Sequence, residues 1–313
     1  MNKLYPRALF FKRFNIAALL MASVLFSAKR VNAQAEKIIG YTQYADNLTA
    51  FNPAYSLLDK AGSVSSLLSR QFVEIQNGAP TAFLFNLNLP FEQMDASGGL
   101  IVKNNSIGPE TLTEVNAFFA KAIQLTDKDF LSVSLNAGFR KYVDLALDPD
   151  DPEFNTDIRQ TSPNLGFGVM AYGDDYFLGI SVPELTIKSL GNADVTSQVD
   201  LKNHYFLTGA LLEPLDDDFK FKPSFIIAYA SGAPVEADVS GMLYIKDMIG
   251  LGVGYRTSKL AEGMITYTFN YFRLGYSYQV GTESNNFGGV NSATQEITLS
   301  YRFGKGLLTP KLL

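Results

Sequence analysis

Residues 272–280 read Phe-Arg-Leu-Gly-Tyr-Ser-Tyr-Gln-Val, and residues 296–303 read Glu-Ile-Thr-Leu-Ser-Tyr-Arg-Phe. In the first stretch Phe272, Leu274, Tyr276, Tyr278 and Val280 alternate with Arg273, Gly275, Ser277 and Gln279. In the second, Ile297, Leu299, Tyr301 and Phe303 alternate with Glu296, Thr298, Ser300 and Arg302. Successive side chains of a strand point to opposite faces, so each stretch has one apolar, aromatic face and one small, polar face. A strand of a water-soluble sandwich also alternates, but its outward face usually carries Lys, Glu and Thr. Gly, Ser and Arg opposite a continuous apolar face is the pattern of a transmembrane antiparallel β-barrel, apolar toward lipid and polar toward the lumen. Such a barrel pairs every backbone group within the protein and leaves no edge.

The same alternation recurs outward along the chain, in Leu131 to Arg140 and in Ile249 to Arg256. It predicts fourteen strands, near 62–72, 80–89, 97–103, 113–125, 130–143, 164–172, 176–182, 204–212, 219–229, 235–245, 248–256, 264–269, 272–280 and 295–303. Connections after odd strands read as long: 73–79, 104–112, 144–163, 183–203, 230–234, 257–263 and 281–294. Those after even strands are short, as at 126–129, 173–175, 213–218, 246–247 and 270–271. Long loops on one side and tight turns on the other is the outer-membrane arrangement. Tyr142, Tyr172, Tyr176, Phe177, Tyr205, Phe219, Phe221, Tyr229, Tyr271 and Phe303 fall at strand ends and are expected to form two interfacial girdles.

Composition agrees. The 313 residues are 47% apolar and 13% aromatic but only 18% charged, with no Cys, no Trp and one His. A disordered chain would carry more charge and fewer aromatics. A disulfide scaffold and Cys-based zinc sites are excluded, and one His supplies no His cluster. With a net charge of −5 there is no electrostatic footprint for nucleic acid.

Residues 1–33 read as a secretory signal peptide. Lys3, Arg7, Lys12 and Arg13 precede an apolar run from Ile16 to Phe26, and Val31-Asn32-Ala33 suits cleavage before Gln34. The apolar run is too short to cross about 30 Å of hydrocarbon. Removal of the six basic residues of this segment leaves 20 basic against 31 acidic, a net charge of −11. Beyond residue 33 no stretch approaches the length of a transmembrane helix. Residues 34–61 lack clean alternation and read either as a lumenal plug or as a periplasmic lead-in. Residues 62–303 are the barrel, and residues 304–313 are expected to hang in the periplasm as a tail.

Reading for chemistry gives no catalytic, cofactor-binding or metal-ligating residue. His204 stands at a strand start beside Tyr205, and no Gly-x-Ser-x-Gly elbow accompanies it. The acidic loop 148–157 lacks the spacing of an EF-hand and reads as solvated, as does the Asp216-Asp217-Asp218 turn. Gly304-Lys305-Gly306 lacks the phosphate-loop spacing. Arg140, Arg256, Arg273 and Arg302 alternate with apolar residues and are expected inside, in a lumenal charge network with Asp238 and Glu296.

An ordered set of segments carries a resemblance: Gln43-Tyr44 and Asn52-Pro53-Ala54-Tyr55; then Asn164 to Gly168 and Tyr176 to Pro183; then His204 to Thr208, Lys222 to Phe225 and Gly232-Ala233-Pro234; and last Gly252 to Arg256 and Arg273 to Tyr278. This order, across nearly all of residues 40–303, resembles the PorP/SprF family, outer-membrane proteins of the type IX secretion system. Family members often carry Ala-Gly after that Tyr, where this chain has Ser56-Leu57. The resemblance implies a non-enzymatic role: assisting secretion of cargo, or surface anchoring of large adhesins, in gliding and type IX-secreting bacteria. It implies outer-membrane lipid, periplasmic secretion components and a cargo protein as partners, and no cofactor. Two alternatives compete. A fatty-acid transporter of the same strand count, which also uses an N-terminal plug, predicts an apolar lumenal pocket and a lateral opening in one strand, and a diffusion porin for polar solutes predicts a constriction loop folded inward.

Overall fold

The computed structural model describes residues 39–72, 78–145, 157–187, 199–282, 293–304 and 312–313. The signal segment 1–33, residues 34–38 and loop residues 148–156 lie outside the described residues.

Fourteen antiparallel strands follow one another in sequence order. They are β1 (Gly62–Gln71), β2 (Thr81–Phe91), β3 (Ala96–Ile107), β4 (Glu110–Gln124), β5 (Phe130–Asp144), β6 (Ile158–Tyr172) and β7 (Tyr176–Thr186). Then come β8 (His204–Leu211), β9 (Phe219–Ala230), β10 (Glu236–Ile245), β11 (Ile249–Arg256), β12 (Leu260–Phe269), β13 (Phe272–Gly281) and β14 (Thr294–Phe303). Past a break at Leu212, β8 resumes as the two-residue stretch Glu213–Pro214, which pairs with Lys220 and Phe221 of β9. The sheet closes where β14 pairs with β1, from Gly62 opposite Phe303 to Gln71 opposite Thr294. Every strand then has two partners, so no edge remains to satisfy. No described helix is long and apolar enough to cross a membrane; this barrel crosses with strands.

The alternation resolves as the sequence predicts, with the apolar face outward. Along β14, Ile297 and Leu299 are 54% and 48% exposed, while Glu296 and Thr298 are 1% and 6%. Twin apolar residues split between the two sides: Leu67 and Phe118 are buried, their neighbours Leu68 and Phe119 exposed. Tyr205, Phe219, Tyr229 and Tyr271 lie exposed at strand ends, as girdle residues should.

Tyr172 and Phe177 do not join them. Both are buried. Phe177 shares its strand parity with the inward Gly179 and packs edge-on against Tyr55 inside the barrel, while Tyr172 stacks on Phe130.

Four connections on the loop side are long, and three are not. The expected loop 104–112 shrinks to Gly108-Pro109, because β3 continues to Ile107 and β4 begins at Glu110. The expected loop 257–263 shrinks to 257–259. The first extension carries polar residues on both faces, such as Asn104, Asn105, Ser106 and Thr111, so the lipid alternation that marks a spanning segment is absent from it. Strand length beyond the hydrocarbon is set by pairing alone. The turn side keeps short links throughout. In one of them the Thr126 and Tyr176 hydroxyls donate to Asp129 and hold its carboxyl below the usual carboxylate range. In another, Asp216 accepts from the backbone N–H of Asp218 and Phe219, which accounts for the acidic turn as a local cap.

One irregularity breaks the wall. Between β6 and β7 the register shifts, so that Pro183 and Glu184 together oppose Gly166. A bulge is where a strand tolerates Pro. Ladder pairing of β7 with β8 stops at Ser181 opposite Phe206. Beyond it, Thr186 N–H donates to Asn203 and Arg140 donates to Lys202 O, so the stretch before β8 covers the seam.

The tail does not hang free at its end. Leu312 and Leu313 are buried, Leu312 against Met242 and Tyr244, and the Lys222 ammonium donates to Leu312 O at 2.7 Å. An inward-facing Lys needs an acceptor, and the Leu312 carbonyl is one.

Candidate functional site

The site is the lumen and the chain segment inside it. Residues 39–58 run through three 3-10 turns, Tyr44–Asp46, Leu48–Ala50 and Pro53–Leu57, and most of their side chains are buried.

The part nearest β1 is held by its own sequence. Asn52 caps the turn Pro53–Leu57: its Oδ1 accepts from Ala54 N–H at 3.1 Å, and Pro53 takes the first position, where a missing N–H costs nothing. The Asn52 amide also donates to Val169 O at 3.2 Å and Ile180 O at 3.4 Å, joining the segment to β6 and β7. Ser132 donates to Ala54 O, and Ser181 to Phe51 O at 2.7 Å. Tyr41, Leu48, Phe51 and Tyr55 then form one apolar cluster with the inward wall residues Leu67, Leu84, Phe118 and Phe206. Arg302 grips Asp59 through two bonds of 2.8 and 2.9 Å where the segment enters β1.

The part farther along is held mainly through its backbone. Glu296 accepts from the N–H of Thr42 and of Gln43 at 2.9 Å, and Glu236 accepts from Ile39 N–H at 2.8 Å. Arg256 donates to Ile39 O at 2.7 Å and to Tyr41 O at 3.1 Å, while its Nε pairs with Asp238 at 2.8 Å. Gln43 is fixed by its side chain as well, donating to Glu296 O and accepting from Thr298 Oγ1. Arg273 reaches Asp46 at 3.1 Å and lies 5.4 Å from the centroid of the Tyr244 ring.

A second charged cluster lies toward the loop side. Lys103 pairs with Glu184, and Arg140 pairs with Glu114 at 2.6 Å. His204 Nδ1 stands 3.8 Å from Glu184, with the ring turned into the lumen while Tyr205 faces out. The strand parity of β8 places His204 inside together with Phe206 and Thr208.

The four arginines do point inward, as the cost of a charge on the lipid face requires. They do not share one network. Arg140 pairs with Glu114, Arg256 with Asp238, Arg273 with Asp46 and Arg302 with Asp59. Two of these carboxylates belong to the N-terminal segment, and Glu296 serves backbone N–H groups rather than an arginine. Sequence reasoning missed Lys103, Glu114, Glu184, Glu236 and Glu262. Strand parity was the available signal, since each falls in register with inward neighbours. Among the described residues no group of three or more His, Asp and Glu is placed to hold a metal.

The family described as Type IX secretion system membrane protein PorP/SprF matches residues 33–301. No curated protein sequence matches the chain significantly. Among solved structures, the toluene transporter TodX of Pseudomonas putida is similar at 11% identity and TM-score 0.47, over 82% of this chain and 93% of that one. Omp33 of Acinetobacter baumannii is similar at 8% identity and TM-score 0.45, over 79% and 99%. A FadL homologue of Pseudomonas aeruginosa is similar at 11% identity and TM-score 0.46, over 82% and 93%. The segments Gln43-Tyr44 and Asn52 to Tyr55, which carried the resemblance in the sequence, are among those that contact the wall.

Proposed function

This chain belongs to the PorP/SprF family of type IX secretion membrane proteins, an outer-membrane barrel, and we propose that it assists secretion or cell-surface anchoring of large cargo proteins such as adhesins. The observation that carries the reading is the filled lumen. Residues 39–58 bond to β6, β7, β10, β11, β13 and β14, and their apolar side chains pack in one cluster with inward wall residues. A barrel so filled is suited to holding a protein partner and poorly suited to passive diffusion. Its turn side faces the periplasm, where secretion components meet it, and its long loops face outward, where an anchored cargo is displayed. The role is non-enzymatic and needs no cofactor.

Affinity isolation of the tagged protein from native membranes tests this. Periplasmic secretion components and one large secreted protein are expected to co-purify, and a deletion strain is expected to lose or release that protein from its surface. Recovery of lipid alone, with normal cargo display in the deletion strain, would refute the proposal.

A further inference from the structure

We propose that the part of the lumen around Arg256 is a binding site for a positively charged polypeptide segment, filled in this state by residues 39–43 of the chain itself. The inference rests on the secretion reading only for the source of the incoming segment, a passenger protein.

The site reads backbone. Five main-chain groups are met by three wall side chains: the N–H of Ile39 by Glu236, the N–H of Thr42 and Gln43 by Glu296, and the C=O of Ile39 and Tyr41 by Arg256. Every peptide carries such groups whatever its sequence, and the adjacent N–H groups of Thr42 and Gln43 meet one carboxylate because the chain bends there, with Gln43 at φ −85° and ψ 42°. Residues 48–57 are fixed in addition by the Asn52 cap and by aromatic packing that another sequence would not reproduce. Exchange of residues 39–43 withdraws the Ile39 and Tyr41 side chains from the cluster they share with Phe51, while the Asn52 cap holds the turn that follows.

The charge of the site is unbalanced. Among the described residues, Glu236, Asp238, Glu262 and Glu296 surround a single guanidinium, Arg256, and all five are buried. Asp238 and Glu262 are 0% and 5% exposed, yet among the described residues Asp238 Oδ1 and Glu262 Oε1 meet no hydrogen-bond donor. A buried carboxylate oxygen without a donor is costly, and an ammonium or guanidinium supplies what is missing. Arg256 already spends its Nε on Asp238 and two nitrogens on the backbone, so it has little left for Glu262, 4.0 Å away. Room exists for a cationic side chain: among the described residues a Cβ added at Gly40, between the two carbonyls that Arg256 holds, meets nothing within 4 Å. A segment with Lys at that position brings the backbone groups and a flexible cation to the part of the lumen that Arg256 and Glu262 line.

Two measurements test the site. The first uses the full chain carrying Thr42→Pro, which removes an N–H donated to Glu296, and a second version lacking residues 34–43, both in detergent. The probes are labelled synthetic peptides of residues 38–45 with Gly40→Lys or Gly40→Glu. The Lys peptide should bind at least about tenfold tighter than the Glu peptide, and adding Glu262→Gln should erase most of that preference. The second measurement needs no exchange: in the otherwise intact chain Gly40→Lys should slow, and Gly40→Glu should speed, protease cleavage within residues 39–47. Binding of neither peptide to either version, or equal affinities together with equal cleavage rates, overturns the proposal. Its failure with cargo still co-purifying removes the peptide site and leaves the secretion role. Peptide binding without any cargo recovered does the reverse.

Discussion

Asn52 stands directly over Gly168: a Cβ built on that glycine would collide with the Asn52 side-chain oxygen. Gly179, on the neighbouring strand, faces the same amide, its would-be Cβ 2.7 Å from Asn52 Nδ2. Two wall glycines thus make the seat for one side chain of the inserted segment, and the Asn52 amide reads the carbonyls beside them.

Gly168→Val should therefore evict the turn Pro53–Leu57 without unpairing β6. The expected outcome is an intact, heat-modifiable barrel in which residues 39–58 become cleavable by protease. Protection equal to that of the parent would contradict the seat.

Removing the occupant's own contacts should act the same way. Asn52→Ala loses the cap and both bonds to the wall, a cost of about 1–3 kcal/mol. The unfolding midpoint in denaturant, measured in detergent micelles, should fall, and Asn52→Asp should recover the cap but not the two donated bonds.

Breaking one side of the loop-side charge cluster should cost more. Glu114→Ala leaves Arg140 buried without its carboxylate and deprives Lys103 of a second one 3.8 Å away. Loss of one partner of a buried pair is worth about 3–5 kcal/mol. The same unfolding measurement should show a larger drop than for Asn52→Ala, and a change below 1 kcal/mol, the scale of an exposed pair, would place this pair in contact with water.

The outward face makes a separate prediction. Leu299→Arg puts a charge against acyl chains at a cost of about 2–4 kcal/mol near the midplane. Folding efficiency into lipid vesicles should fall markedly, whereas Lys141→Arg, which keeps its charge near the loop-side end of β5, should fold like the parent.

Deleting residues 39–58 should turn a closed barrel into a conducting one. The parent is expected to give no steady current in planar bilayers, and the deletion to give single-channel steps. Steady conductance from the parent would favour a pore over a protein-docking role.

The sequence by itself determined the barrel. Two-residue periodicity in stretches such as Phe272 to Val280 depends only on the pleat and on which solvent each face meets, and both are local. It placed fourteen strands and put Arg140, Arg256, Arg273 and Arg302 inside. It was blind where strands leave the membrane, as at Ile107 and Glu110, since water on both sides erases the alternation. It was blind as well to which carboxylate each arginine meets. Arg256 and Ile39 are far apart in the chain, and so are Arg302 and Asp59. Closing the sheet between β14 and β1 is what brings Asp59 and Arg302 together, and threading residues 39–58 through the ring is what buries Ile39 against Arg256. Those pairings are set by the geometry of a closed surface with a segment inside it, and no periodicity along the chain encodes them.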